Sequence, residues 1–180
     1  MKKLLLLFFA SSIYCTVSGQ ILIMQKPWET SLSAFCGYNY SSGYDLSFIL
    51  NIRINEGKWG IYGEFTRSDE KVKISGEDTD FSINGIYPAL GLTYSLRENL
   101  SPAPFDIFFN GGFTHGSAKL NLADGQEVKE KSFGNHLGVT LKYLVTPKLS
   151  ICLRQSLYIL YDSPFGNNRT TTAAGLTFTF

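Results

Sequence analysis

Eight side chains could do acid, base or cationic chemistry from within regular structure: Glu29, Asp45, Arg53, Glu64, Asp106, His136, Lys142 and Arg154. Each stands in a stretch where apolar and non-apolar residues alternate. A carboxylate near an imidazole suits general acid–base catalysis. Ser132, four residues before His136, could be read as a nucleophile with its base, and His115 as a second imidazole at a loop border. That chemistry needs the two groups within reach of each other, which spacing alone does not supply. The same eight residues have a plainer use. Opposite charges enclosed in a cramped interior pair with each other, because an unpaired buried charge is costly. We read Glu29, Asp45, Arg53, Glu64, Asp106, Lys142 and Arg154 as structural charges of this kind. No Walker loop, dinucleotide-binding glycine pattern or zinc spacing is present. No catalytic site, cofactor or metal site is therefore expected.

The elements that position these residues follow from period-two alternation, the mark of a strand with two different faces. WETSLSAFCGYNY puts Trp28, Leu32, Ala34, Cys36, Tyr38 and Tyr40 on one face, and Glu29, Ser31, Ser33, Phe35 and Asn39 on the other. In YDLSFILNIRIN, Tyr44, Leu46, Phe48, Leu50, Ile52 and Ile54 oppose Asp45, Ser47, Asn51 and Arg53. WGIYGEFT, YPALGLTYSL, FDIFFNGGFT, FGNHLGVTLKYLV, LSICLRQSLYILY and TTTAAGLTFTF alternate likewise. About eight strands of roughly ten residues are expected, and no helix is needed. NEGK, RENLSPAP and TPK read as short turns. Residues 68–85, 116–131 and 162–169 read as longer polar loops. The acidic run SDEKVKISGEDTDFS in the first of these is read as a solvated loop. Pro88 is placed near a strand start, where a missing N–H is tolerated. Cys36 and Cys152 fall on opposite faces, so no disulfide between them is expected.

The polarity of the two faces decides what surrounds the sheet. A soluble sandwich turns its apolar face inward and its polar face to water. A transmembrane barrel does the reverse, and its interior must be filled by side chains when it is small. The less apolar face here is rich in Gly, Ala, Ser and Thr with isolated charges, which suits a narrow interior. Aromatics gather toward the strand ends: Trp28, Trp59, Tyr94, Tyr143 and Phe180 toward one side, Tyr38, Tyr40, Tyr44 and Tyr161 toward the other. Such girdles mark the two borders of a membrane. On this register no formal charge faces lipid in mid-strand. Gln155 is the one outward polar blemish, read as a bulge, a protein contact or a register error. The expected fold is all-β, an eight-stranded antiparallel transmembrane β-barrel. Its last strand must pair with its first, because an open edge in lipid leaves backbone groups unsatisfied. The chain accordingly ends on Phe180 inside a strand.

Export is a precondition of that fold. Lys2 and Lys3, the apolar run Leu4–Tyr14 and the small residues near Ser18 and Gly19 form a signal peptide over 1–19, with the barrel over 20–180. Charged residues make up only 17% of the chain and the net charge is +1, so the basic footprint of a nucleic-acid binder is absent and no direct nucleic-acid binding is expected.

The segments NEGKWGIYGEFTR, YPALGLTYSL, FNGGFTHG, VTPKLSICLRQSLYILY and the ending AAGLTFTF, in this order, resemble the TraO family of conjugative-transposon proteins from Bacteroidetes. The likeness spans nearly the whole mature chain, departing at Pro27 and in the absence of a proline before the final strand. It implies a small outer-membrane barrel of OmpA/OmpX-like architecture in a Gram-negative envelope, both termini periplasmic, serving a DNA-transfer apparatus as a non-enzymatic part. Its implied partners are outer-membrane lipid, the outer-membrane assembly machinery, which would read the C-terminal strand, and other conjugation proteins. A general surface barrel for adhesion or envelope stability is the alternative, and a lipid-modifying outer-membrane enzyme a more distant one.

Overall fold

The computed structural model describes residues 28–40, 43–54, 58–73, 80–96, 104–121, 127–161, 163 and 168–180. The expected signal peptide lies outside the described residues. Among the described residues every element is a strand: β1 (Trp28–Asn39), β2 (Gly43–Ile54), β3 (Trp59–Lys73), β4 (Asp80–Ser95), β5 (Phe105–Asn121), β6 (Glu127–Leu144), β7 (Leu149–Tyr161) and β8 (Asn168–Thr179). Each pairs antiparallel with its neighbours in sequence, and β8 returns to β1 to close a barrel. The closing ladder runs from Ser31 opposite Thr179 to Asn39 opposite Thr171. Phe180 extends it by donating its backbone N–H to the Thr30 carbonyl at 2.9 Å. This is the expected eight-stranded barrel, and the terminal phenylalanine belongs to its seam.

The two faces fall as the alternation required. Leu90, Leu92, Phe109, Phe113, Phe133 and Leu137 are among many large apolar side chains left 42–77% exposed on the outer wall. Water would not tolerate a continuous greasy surface of this extent. Inside lie Ser, Thr, Asn and all the enclosed charges, with Phe35, Ile49, Tyr62, Ala89, Cys152 and Ala173 forming an apolar cluster among them. Cys152 is buried in the lumen and Cys36 exposed on the outer wall, and both are free thiols.

Three loop assignments need correction. β3 runs on to Lys73 and β4 begins at Asp80, so most of 68–85 is ladder. β5 runs to Asn121 and β6 begins at Glu127, so most of 116–131 is ladder as well. β8 likewise begins at Asn168, inside the segment read as 162–169. Strands reach 15–18 residues from β3 to β6, against 12 or 13 elsewhere. The physical reason is that these strands outlast the apolar band. There Arg67, Asp69, Lys71, Lys119, Lys129 and Lys131 are exposed, and the apolar half of the alternation disappears from the sequence. The backbone ladder continues without it. His115 is therefore within β5, its ring tilted against Phe133 at 4.5 Å between centroids, and not at a loop border.

Two further details differ. Pro88 lies in the interior of β4, opposite Phe65. On its other side the β4–β5 pairing stops at Ile86 opposite Ser117 and resumes at Ala89 opposite Thr114. Pro cannot donate to a ladder, and the Thr114 hydroxyl covers the gap by donating to the Pro88 carbonyl at 2.9 Å. Gln155 marks neither a bulge nor a slip, since β6–β7 and β7–β8 keep their registers through it. It is exposed on the outer wall, and its carboxamide oxygen accepts from Thr172 at 3.4 Å.

Candidate functional site

Inward positions of successive strands stack the lumen charges into three layers, counted from the end that carries the termini. In the first, Arg53 Nη2 lies 3.2 Å from Asp106 Oδ2 and 3.7 Å from Glu29 Oε1. Ser95 donates to the other Asp106 oxygen at 2.7 Å. The Arg53 guanidinium also covers the Phe108 ring at 4.6 Å, and Lys142 lies 5.6 Å from the same ring while donating to Thr179 at 3.4 Å. Two acids here meet two cations.

The central layer is a closed network. Arg154 Nη2 donates to Glu64 Oε2 at 2.6 Å and to His136 Nε2 at 3.1 Å. A guanidinium can only donate, so Nε2 accepts and the imidazole proton is on Nδ1. Nδ1 then donates to the Tyr62 hydroxyl at 2.6 Å. The second Glu64 oxygen accepts from Tyr158 at 2.8 Å and Thr66 at 2.9 Å. Arg154, His136, Tyr62 and Tyr158 are all at most 2% exposed, so they fill the bore at this level. Both nitrogens of His136 are engaged. Ser132 lies two pleats away along β6, roughly 13 Å, so the structure does not bring the candidate nucleophile to its base.

The third layer lies toward the hairpin ends opposite the termini. Glu70 Oε1 accepts from Asn39 at 2.6 Å, Ser68 at 3.0 Å and the Arg169 guanidinium. Arg169 also covers the Tyr87 ring at 4.8 Å. Two glycines make room for that ring: a Cβ on Gly85 would collide with the Tyr87 hydroxyl, and one on Gly116 would meet the ring edge at 2.9 Å. Asp45 is buried here, with Ser68 and the charge of Arg169 beside it. Glu70, Glu130 and Arg169 are inward charges that the sequence reading missed. Each fell in a segment read as loop. The signal was present in the continued alternation of Ser68 and Glu70 with Arg67, Asp69 and Lys71.

The aromatics pair across strands. Trp59 meets Tyr94 at 4.7 Å and Phe105 meets Tyr143 at 5.0 Å toward the terminus end, where Phe178 and Phe180 also touch at 5.1 Å. Tyr38 meets Tyr44 edge-on at 6.3 Å toward the other end, where Tyr161 accepts from Asn135 at 2.6 Å and Tyr40 is exposed. Trp28 opens β1 at the terminus end. Between the bands a groove of about 640 Å³ runs along the outer wall, lined by Trp59, Leu92, Phe109, Leu137, Gln155 and Gly111.

The family model described as outer membrane protein beta-barrel domain matches residues 27–180. No match is found among curated proteins. Neisserial surface protein A superposes with a TM-score of 0.61 at 18% identity, over 86% of this chain and 98% of that one. Ail, the attachment invasion locus protein of Yersinia pestis, solved with the heparin analogue sucrose octasulfate, gives 0.59 at 14%, over 87% and 100%. The N-terminal barrel domain of Pseudomonas aeruginosa OprF gives 0.60 at 12%, over 84% and 97%. At these identities the likeness speaks for the fold.

Proposed function

This chain belongs to the outer membrane protein beta-barrel domain family, and we propose that it is a non-enzymatic barrel that anchors or scaffolds a partner machine and is not itself a conduit. Membership places it in the outer membrane. Within that setting the TraO-like order of segments supports a place in the transfer apparatus of a conjugative transposon, with both termini periplasmic and the hairpins β3–β4 and β5–β6 turned outward. One observation carries the reading: the Glu64–Arg154–His136–Tyr62–Tyr158 network fills the bore. A barrel of eight strands is filled by its own side chains, so work on large substrates falls to the outer surface. Planar-bilayer recording is expected to give no large stable conductance, and a large pore would refute the reading. Co-purification from native membranes is expected to recover transfer proteins, and flanking transfer genes are expected beside the coding sequence.

A second reading, adhesion or envelope stability, is favoured by the lysines exposed on the β5–β6 hairpin. Lys119 stands directly opposite Lys129, with Lys131 on the same wall. Ail, of similar fold, was solved with a sulfated heparin analogue. Binding of sulfated glycans by intact cells, lost in a Lys119, Lys129 and Lys131 triple alanine variant, would support adhesion. Lipid A of unchanged mass with and without expression is expected if the protein is not a lipid-modifying enzyme.

A further inference from the structure

We propose that the outer wall around Gln155 is an interface between two copies of this chain, in which the Gln155 carboxamides of the two barrels hydrogen-bond to each other within the membrane. The first argument is depth. Directly opposite residues on successive strands trace the line Trp59, Tyr94, Phe109, Val139, Gln155, Thr172, Tyr38 and Tyr44 around the wall. Strands in a closed barrel tilt, so this line climbs from the aromatic girdle at the terminus end to the girdle at the other end. Gln155 stands midway along it. On β7 the outward residues Ile151 and Leu153 precede Gln155 and Leu157 and Ile159 follow it, so apolar wall continues on both sides in depth.

The second argument is unmet bonding. Gln155 is exposed, and among the described residues its side chain makes one hydrogen bond, accepted by its oxygen from Thr172 at 3.4 Å. The amide nitrogen, with two hydrogens to donate, meets no acceptor among them. Hydrocarbon holds no water to supply one, and the polar groups of a lipid lie at the borders of the bilayer, not at its middle. The unbroken registers of β6, β7 and β8 exclude a bulge or a slip as the reason for a polar residue here. The acceptor at this depth therefore comes from another protein.

Symmetry and shape select a second copy. Two barrels that share one orientation in the membrane are related by a twofold axis along its normal, and that axis returns every outward residue at its own depth. Gln155 beside the axis thus meets Gln155, and a carboxamide, both donor and acceptor, complements itself. The groove of about 640 Å³ lies on the β5–β6 flank of Gln155. Gly111 opposite Leu137 leaves a dent there, since a Cβ on it would touch only Leu137 Cδ2, at 3.7 Å. The axis turns the other flank of the partner toward this groove. That flank carries Thr172 and Ala174 on β8, Cys36 opposite Ala174 on β1, and Leu153, 54% exposed, opposite Ala174 on β7. Small residues let neighbours in a membrane approach closely, and side-chain hydrogen bonds then hold them.

Cross-linking and dilution test this. The full chain is folded into phospholipid vesicles in a Cys36→Ser background, which leaves Cys152 enclosed in the lumen, and oxidised with copper phenanthroline. Gln155→Cys is expected to give a covalent dimer, and Phe65→Cys, outward on β3 across the barrel, to give little. Association is then followed as energy transfer between differently labelled chains on dilution with lipid. Gln155→Leu is expected to raise the dimer dissociation constant about tenfold, and Gln155→Asn, which keeps the carboxamide, to recover most of the affinity. Leucine suits a lipid-facing position, so the Gln155→Leu barrel folds, with heat-shifted gel mobility as the check. The proposal is overturned if the parent is monomeric in vesicles, if Gln155→Cys links no better than Phe65→Cys, or if Gln155→Leu associates as tightly as the parent. Linkage of the Gln155→Cys variant in native membranes to a different protein alone would also overturn it.

Discussion

At the scale of the residue, the lumen turns on the bond between Glu64 and Arg154. Arg154 is 2% exposed and its guanidinium serves Glu64 and His136 at once. Removing one member of a buried ion pair strands the other charge, at a cost of about 3–5 kcal/mol. Arg154→Met is therefore expected to lower the free energy of urea unfolding in bilayers by about that amount. The double variant Arg154→Met, Glu64→Leu is expected to recover most of the loss, because replacing both charges by apolar groups is often close to neutral. Equal stability of the single and double variants would show that the pair contributes little. Of the charges named from parity alone, Asp45, Glu64, Asp106, Lys142 and Arg154 are buried in the lumen, and Arg53 and Glu29 meet there beside Asp106. Which of them touch was not legible, because partners such as Glu64 and Arg154 stand 90 residues apart.

At the scale of the strand, the membrane sets one rule for the outer wall along the apolar band and another beyond it. Leu137 is 50% exposed near the middle of β6, whereas Lys131 is exposed on the same strand beyond Phe133. A Lys or Arg facing the bilayer midplane costs about 2–4 kcal/mol and near the interface about 0–1. Leu137→Arg is thus expected to destabilise the barrel by a few kcal/mol, while Lys131→Ala leaves it unchanged, both measured by denaturant titration in vesicles. Comparable effects at the two positions would mean that the apolar band has been placed wrongly. This rule also explains why the strand cores were readable and their ends were not. Period two with an apolar face is a strong signal. Once the outer face carries Arg67, Asp69 and Lys71 it looks like any polar loop, though the ladder from Arg67 opposite Ile86 to Lys73 opposite Asp80 continues.

For the whole molecule, closure is the deciding event. The β1–β8 ladder joins residues 132 to 148 apart in sequence and includes the penultimate Thr179 opposite Ser31. Every open edge in hydrocarbon leaves backbone groups unmet. Deleting residues 176–180 is expected to abolish the heat-shifted gel mobility of the folded barrel and its insertion into membranes, and a truncated chain that kept both would argue against a seam at this place. Alternation along the chain determined by itself that there would be eight strands, which face of each is greasy, and that the last residue lies in a sheet. It could do so because side-chain direction in a strand is local, repeating every second residue. The partners of the charges and the plug they build at the centre were decided only by the tertiary structure, because the tilt and stagger of a closed sheet choose which inward positions share a level.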